Sequence, residues 1–188
     1  ASGEGPCLTV ETPGTVVVDG AGFAVTGGLT AETEALRDED VTLVIRDLTV
    51  DELEYPRSDT GSGATGLLED ATVGTLRLSN AFDFTVESSR IESGLSGLFG
   101  GNVTFRDSTF GGRVTFEENA GGFTVVDNTF AASLQFPEEL GDSIIARNTF
   151  RGSLEFFDVG QPPRNVTVAD NEFTVPASEV SGFEEGAI

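Results

Sequence analysis

Aspartate and arginine are the residues of this chain whose spacing could support chemistry. The sequence contains no His, no Lys and a single Cys. This composition excludes imidazole bases, lysine Schiff bases, Cys–His and Ser–His pairs and the usual zinc ligands. Asp107, Asp127 and Arg147 follow one another at intervals of 20 residues. Two carboxylates about 5 Å apart would suit a retaining glycosidase, and carboxylates that hold Ca²⁺ beside an arginine base would suit a lyase.

The same residues belong to a longer column with a structural explanation. In successive repeats, the position three residues before an apolar anchor is occupied by Asp47, Asp70, Ser88, Asp107, Asp127, Arg147 and Asp170. Asp and Asn are enriched in turns, and a chain with 32 acidic residues produces such columns readily. We therefore assign no catalytic residue and predict a non-enzymatic protein without a bound cofactor. Asp107 and Asp127 are kept as the candidates for catalysis or for Ca²⁺.

The elements that must position these residues are predicted by a repeat of about 20 residues. The clearest copies are VTFRDSTF (103–110), FTVVDNTF (123–130), SIIARNTF (143–150) and VTVADNEF (166–173). Aligned on their last apolar residue, the repeats are separated by 27, 23, 18, 19, 20, 20 and 23 residues. Such a period is typical of a solenoid, in which each repeat buries its apolar face against its neighbours. We predict eight core anchors: Phe23, Val50, Val73, Ile91, Phe110, Phe130, Phe150 and Phe173.

Within each copy, apolar residues alternate with polar ones, as in a strand with one buried face. No segment has helical periodicity, and two or three short strands fit in each repeat. The prediction is an all-β fold, a single-stranded parallel β-helix (β-solenoid) of about eight coils. The right-handed form is expected because strand twist and crossover geometry favour that hand. We place the β-helix domain at 8–176, between an N-terminal tail (1–7) and a C-terminal tail (177–188).

A polar column stands two residues before the anchors. It comprises Ser89, Ser108, Asn128, Asn148 and Asn171. Asn tolerates the left-handed backbone conformation that tight turns need, and stacked Asn side chains can hydrogen-bond along the axis of a solenoid. We predict a structural ladder, with a row of amides that binds substrate as the alternative.

The DNTF, RNTF and DNEF turns that begin at Asp127, Arg147 and Asp170 resemble those of right-handed parallel β-helix repeat proteins of the pectate-lyase-like class. The segment CLTVETPGTVVVDGAGFAVTGG (7–28) is similar to the first coils of secreted β-helix proteins of haloarchaea. The resemblance covers roughly residues 8–175 and implies the fold. It implies little about activity, because that class includes lyases, hydrolases, adhesins, tailspikes and inert structural proteins.

The charge of the chain indicates its environment. Acidic residues number 32 against 10 basic ones, all Arg, for a net charge of −22. Self-repulsion at this charge destabilises a small domain, and molar salt, with a screening length of about 3 Å, removes most of that repulsion. We predict a halophilic protein that binds no nucleic acid. No stretch approaches 18 consecutive apolar residues, so membrane insertion is not expected.

An extracellular or cell-surface location is expected because the chain starts at Ala1, as after removal of a leader. The sequons at Asn102 and Asn165 predict N-glycosylation. Cys7 is single, so no internal disulfide forms. A buried apolar role is expected for it, and an intermolecular disulfide is the alternative.

The ends of a solenoid expose unpaired backbone groups that template association. We predict self-assembly into an extracellular filament or surface appendage, in which Val180, Phe183 and Ile188 of the C-terminal tail dock into a neighbouring copy. A β-helix that binds or cleaves surface glycans is the first alternative, and the spike or receptor-binding protein of a halophilic virus is the second. Insertions at 29–40 and 52–66, the latter with Tyr55, are the places where a ligand would be expected.

Overall fold

The computed structural model describes residues 14–30, 41–55, 64–81, 83–99, 101–119, 122–136, 141–156 and 165–174. In these ranges the chain forms β-strands and turns and no helix, and all strand pairs are parallel. The predicted all-β parallel solenoid is confirmed. No helix within the described ranges is long and apolar enough to cross a membrane.

One side of the solenoid, the first face, is an eight-stranded parallel sheet. Each successive strand comes from the next turn of the chain, and we number these turns as rungs 1 to 8. The strands in rung order are β1 (Gly14–Asp19), β3 (Val41–Arg46), β5 (Ala64–Glu69), β7 (Asp83–Glu87), β9 (Val103–Arg106), β12 (Gly122–Val126), β15 (Gly141–Ala146) and β18 (Val166–Ala169).

The remaining strands form a second, bent sheet that supplies two further faces. In rungs 1 to 4 a single strand turns the corner between these faces, whereas rungs 5 to 7 use two separate strands. The second face carries the anchors, and the third face follows it in each rung. The strands are β2 (Ala24–Thr30), β4 (Thr49–Tyr55), β6 (Thr72–Ala81), β8 (Arg90–Phe99), β10 (Thr109–Phe110), β11 (Arg113–Asn119), β13 (Thr129–Phe130), β14 (Leu134–Phe136), β16 (Thr149–Phe150), β17 (Leu154–Phe156) and β19 (Glu172–Phe173).

The core consists of columns in which each side chain rests on its counterpart in the next rung. On the second face Phe110, Phe130, Phe150 and Phe173 stack with ring centroids 4.8, 5.1 and 5.0 Å apart. The third face contributes a buried aliphatic column: Leu29, Leu53, Leu76, Leu95, Val114, Leu134 and Leu154. Strand alternation directs these side chains inward and the residues between them outward.

Six predicted anchors are buried, namely Val50, Val73, Ile91, Phe110, Phe130 and Phe150. The prediction for Phe23 is wrong: its side chain is 74% exposed, and Val25 pairs with Val50 in the anchor column. The cause is a longer first turn, in which four residues (20–23) separate the strands where two (47–48) suffice in rung 2. Phe173 lies in the anchor column, but it is 36% exposed because no described rung covers it.

The number of coils also needs correction. Eight strands stack on the first face, but complete turns with paired neighbours on all three faces number about five within the described ranges. These are rungs 2 to 6, since the third-face strand of rung 7, β17, pairs only with β14. Rungs 1, 7 and 8 each lack a paired neighbour on at least one face within the described ranges.

Several predictions fall outside the described residues. They concern both tails with Cys7, Val180, Phe183 and Ile188, and residues 31–40 and 56–63 of the two insertions. The side chain of Tyr55 is also outside the described part.

The phenylalanine stack yields a stability prediction. Replacing Phe130 by Ala removes a fully buried ring between Phe110 and Phe150, and we expect a loss of about 3–5 kcal/mol in the free energy of unfolding. Phe173→Ala is the matched control and should cost less, because that ring has a neighbour on one side and is partly exposed. Denaturant titration at fixed salt measures both, and equal losses would contradict the stacking argument.

Candidate functional site

The acidic column of the sequence lies at the corner between the first and second faces, and we call it the turn column. All seven members, from Asp47 to Asp170, have positive φ angles between 49° and 59°. Asp is among the residues that tolerate this left-handed region. Its recurrence here is therefore explained by backbone geometry. The left-handed position is the turn column and not the Asn column one residue later, which corrects the expectation from the sequence.

Backbone hydrogen bonds join consecutive members of the turn column to neighbouring rungs. The Asp107 N–H donates to Val126 O at 3.3 Å, and the Asp127 N–H donates to Ala146 O at 3.2 Å. The two candidate aspartates thus occupy adjacent rungs, as the spacing predicts. Arg147 follows in the next rung, and its N–H donates to Ala169 O at 3.1 Å.

Asp127 and Arg147 form a bidentate ion pair on the surface. Arg147 Nε donates to Asp127 Oδ1 at 2.8 Å, and Arg147 Nη2 donates to Asp127 Oδ2 at 2.7 Å. These hydrogen bonds lower the pKa of Asp127 and raise the pKa of Arg147. The negative charges of Asp170 and Asp107 raise the pKa of Arg147 further. A general acid needs a raised carboxyl pKa, and an arginine base needs a lowered one. The lowered pKa of Asp127 opposes a role as general acid, and the raised pKa of Arg147 opposes a role as base.

Other ion pairs also run along the solenoid axis. Arg46 pairs with Asp19 at 2.9 Å, Arg77 with Glu52 at 3.1 Å, and Arg106 with Glu87 at 3.9 Å, each between adjacent rungs. All these side chains are about half exposed, so each pair contributes little stability in water. Their effect is to place a cation between the carboxylates of neighbouring rungs.

The predicted structural ladder is present and buried. The exposed fractions of Ser89, Ser108, Asn128 and Asn148 are 4, 3, 2 and 1%. Each side-chain oxygen accepts from the backbone N–H one rung earlier: Ser108 N to Asn128 Oδ1 is 3.0 Å, Asn128 N to Asn148 Oδ1 is 2.9 Å, and Asn148 N to Asn171 Oδ1 is 2.9 Å.

The amide nitrogens of the ladder are also satisfied. Asn128 Nδ2 donates to Phe105 O at 2.9 Å, Asn148 Nδ2 to Val125 O at 2.8 Å, and Asn171 Nδ2 to Ile145 O at 2.8 Å. Groups that are buried and already paired cannot contact a substrate. The alternative of a substrate-binding amide row is therefore wrong for Asn128 and Asn148.

A second polar chain, which the sequence analysis missed, crosses the third face. Thr115 Oγ1 donates to Gln135 Oε1 at 3.2 Å, and Gln135 Nε2 donates to Glu155 Oε2 at 2.6 Å. Ser153 also donates to Glu155. The signal was available, because Thr115, Gln135 and Glu155 recur at the 20-residue period one place after a core residue.

The two sequons lie on the surface at one edge of the first face. Asn102 and Asn165 are exposed, and both side chains take part in hydrogen bonds between rungs. Asn102 Nδ2 donates to Asp83 Oδ1 at 3.1 Å, and Asn165 Nδ2 donates to Asp142 Oδ1 at 2.8 Å. A glycosyltransferase would have to break these bonds. N-glycosylation stays a prediction.

Carboxylate ligands for Ca²⁺ do not converge in the described ranges. No group of three or more Asp, Glu, Cys or His side chains there is arranged to hold a metal ion. The Arg147 guanidinium lies close enough to interact with both Asp107 and Asp127, and the charge of Arg106 also acts on Asp127.

The C-terminal end of the stack is the place where the repeated contacts stop. Phe173 is 36% exposed and Val168 is 38% exposed, although both continue core columns that are fully buried in rungs 5 to 7. The Asn171 N–H, the next donor of the ladder, has no acceptor among the described residues. The core columns and the hydrogen-bond ladder at this end could therefore be continued by one more rung of the same kind.

Comparison of the chain with family models, with curated proteins and with solved structures found no match.

The ladder yields a test of its role. Asn128→Ala leaves the Ser108 N–H without its acceptor and should lower the free energy of unfolding by about 2–3 kcal/mol. Asn128→Ser is the matched variant, because a serine oxygen already accepts from Ser89 N at the equivalent position. The serine variant should lose less in denaturant titrations. An alanine variant as stable as the parent would contradict a structural role.

The Arg147 ion pair yields a prediction on titration. In Arg147→Gln the pKa of Asp127 should rise toward its ordinary value of 3.8, as followed by carboxyl NMR signals. Because the pKa of Asp127 is lowered in the folded state, its stabilising effect is present above the unfolded pKa and is lost as pH falls through the folded pKa. The stability difference between parent and variant should therefore close on acidification. Arg151→Gln is the control, since Arg151 has no ion pair among the described residues.

Proposed function

We propose that this chain is a non-enzymatic structural subunit that assembles end to end into an extracellular filament or surface appendage of a halophile. The observation that carries the proposal is the C-terminal end rung. There, within the described part of the chain, no rung covers the core columns at Phe173 and Val168, and the Asn171 N–H has no acceptor. A further rung would bury both side chains and could accept this hydrogen bond.

The opposite end of the solenoid supplies a suitable surface. In rung 1, Val16, Val18 and Val25 face the core but are only partly buried. Strand β1 pairs through one edge with β3, and β18 pairs through one edge with β15. Because parallel strands present complementary edges, β1 of one copy can continue the ladder beyond β18 of another. A contact between unlike ends does not close, and it propagates as a filament.

The tails belong to the same proposal. Val180, Phe183 and Ile188 would dock on the neighbouring copy beside the joined rungs. Self-association is thus the proposed partnership, and nucleic acid and membrane insertion have no part in it.

Salt is the condition under which this assembly should form. Two rods that each carry a net charge of −22 repel one another in dilute buffer. At molar salt the screening length is about 3 Å, and apolar burial between the ends is strengthened. The halophilic origin, the cell-surface location and membership of the pectate-lyase-like class remain parts of the proposal. They rest on the acidic composition and on the turns that begin at Asp127, Arg147 and Asp170.

The two alternative functions, a glycan-binding or glycan-cleaving protein and a viral spike, would use other surfaces of the solenoid. Surface glycans would be the partner if Asp107 and Asp127 formed a glycan site, but Arg147 engages both carboxylate oxygens of Asp127, and its raised pKa opposes a role as base. A viral spike would associate side by side as a trimer, which the assembly experiment distinguishes by particle shape.

The assembly prediction is tested at the end rung. At about 3 M salt the parent should form rods longer than one copy in negative-stain micrographs and sediment faster as protein concentration rises. Phe173→Asp places a charge in the exposed core column and should abolish this growth. Thr174→Asp, which adds the same charge next to the anchor but outside the core column, should retain it.

Deletion of Val180 to Ile188 separates the contribution of the tail from that of the end rung. Growth that is lost on deletion supports tail docking, whereas growth that persists assigns the contact to the stacked rungs alone. Single particles of one length at every concentration, for the parent as well as for the variants, would overturn the proposal.

A further inference from the structure

The first face carries a column without charge. Between two inward columns, the outward side chains of rungs 1 to 8 are Val17, Val44, Leu67, Thr85, Thr104, Thr124, Ile144 and Thr167. We call this the middle column. All its members are at least partly exposed, and Val17 and Ile144 are 52% and 47% exposed. In a chain with a net charge of −22, eight consecutive uncharged outward positions form a stripe suited to contact with another surface.

In the flanking column on the side of the turns, reversing the rung order brings one pair of opposite charges together and no pair of like charges. From rung 1 to rung 8 its members are Asp19, Arg46, Glu69, Glu87, Arg106, Val126, Ala146 and Ala169. Read in the opposite direction, Glu87 falls opposite Arg106, while Asp19, Arg46 and Glu69 fall opposite uncharged residues. When rung 1 of one copy faces rung 8 of the other, no like charges therefore meet in this column.

In the other flanking column, on the opposite edge of the first face, the reversed rung order also keeps like charges apart. Its members include Asp83, Asn102 and Asp142. In the reversed order Asp83 falls opposite Asn102, and Asp142 falls opposite Thr42. If the two copies ran in the same direction, the flanking columns would exchange places and Asp83 would meet Glu87 of the other copy. That arrangement sets carboxylates against each other at the centre of the face.

We propose that two copies of this chain pair laterally through their first faces in antiparallel orientation, with a two-fold axis between rungs 4 and 5. Val44 then lies opposite Ile144 of the second copy, and Thr85 opposite Thr104. At the axis, Glu87 and Arg106 of both copies form a cluster of four alternating charges, which extends the pair already present within each copy. This pairing does not rest on the end-to-end assembly proposed above.

The size of the face sets the strength of the pairing. Eight rungs at about 4.8 Å and five residues at about 3.3 Å give a contact of roughly 500–600 Å² per copy. Doubled, this lies near the lower limit for specific interfaces, so the dimer should be weak and should depend on concentration. High salt favours it by screening the net charge and strengthening apolar burial.

The orientation is tested by cross-linking at about 3 M salt, in a Cys7→Ser, Phe173→Asp background that blocks end stacking. Val44→Cys and Ile144→Cys proteins are mixed and treated with a short bis-thiol reagent. In the antiparallel dimer these positions oppose each other, so the mixture should cross-link efficiently. Each protein alone should not, because rungs 2 and 7 lie five strand spacings, about 24 Å, apart. Cross-linking of the Val44→Cys protein with itself would indicate the parallel arrangement and overturn the proposal, as would no cross-link at all.

A second measurement does not depend on the reagent. In the same Cys7→Ser, Phe173→Asp background at about 3 M salt, which is the parent for this comparison, Ile144→Arg places a charge in the middle column and should reduce the dimer fraction in sedimentation equilibrium at least tenfold. Ser96→Arg, at an exposed position on the third face, is the matched control and should leave it unchanged. Circular dichroism checks that both remain folded. Equal dimer fractions in Ile144→Arg and parent would assign the association to another surface and overturn the pairing.

Discussion

In-register stacking of successive rungs is the constraint on which the other features of this protein depend. The same residue positions meet along the axis, so Phe rests on Phe, Leu on Leu and Asn on Asn. A shift of one residue would move every core side chain of a rung to the surface. The buried amides reinforce this register, because a shifted Asn128 would lose the Ser108 N–H and the Phe105 carbonyl at once. Apolar packing alone would tolerate more error than these hydrogen bonds do.

The same register organises the charges. Because Arg46, Arg77, Arg106 and Arg147 each meet a carboxylate of the preceding rung, cations interrupt the acidic surface at intervals along the rod. Individually these exposed pairs contribute little to stability. Together they limit repulsion between neighbouring carboxylates within a highly acidic chain. The turn column adds a backbone requirement, since its residues must accept a left-handed conformation before any chemistry is considered.

The fold was predictable because the repeat carries its own alignment. The columns of Phe110, Phe130 and Phe150 and of the ladder could be read directly, since each rung from Val103 onward is nearly the same length. Phe23 was misplaced because the first turn is longer, and spacing alone does not show where extra residues enter. The left-handed position was assigned one residue too late because Asp and Asn share the same turn preference. The ion pair of Asp127 depends on side-chain rotamers, which the sequence does not specify. The function and the handedness of the coil stay predictions.

The equal length of rungs 5 and 6, 20 residues each, has a consequence for the growth of the protein over evolutionary time. Each 20-residue unit in this part presents the same core columns above and below, as in the series Phe110, Phe130, Phe150 and the pair Phe136, Phe156. Since each unit contacts only its neighbours, a duplicated unit meets the partners it already had. Rod length is therefore a property that gene duplication can change in steps of about 4.8 Å without a new core design.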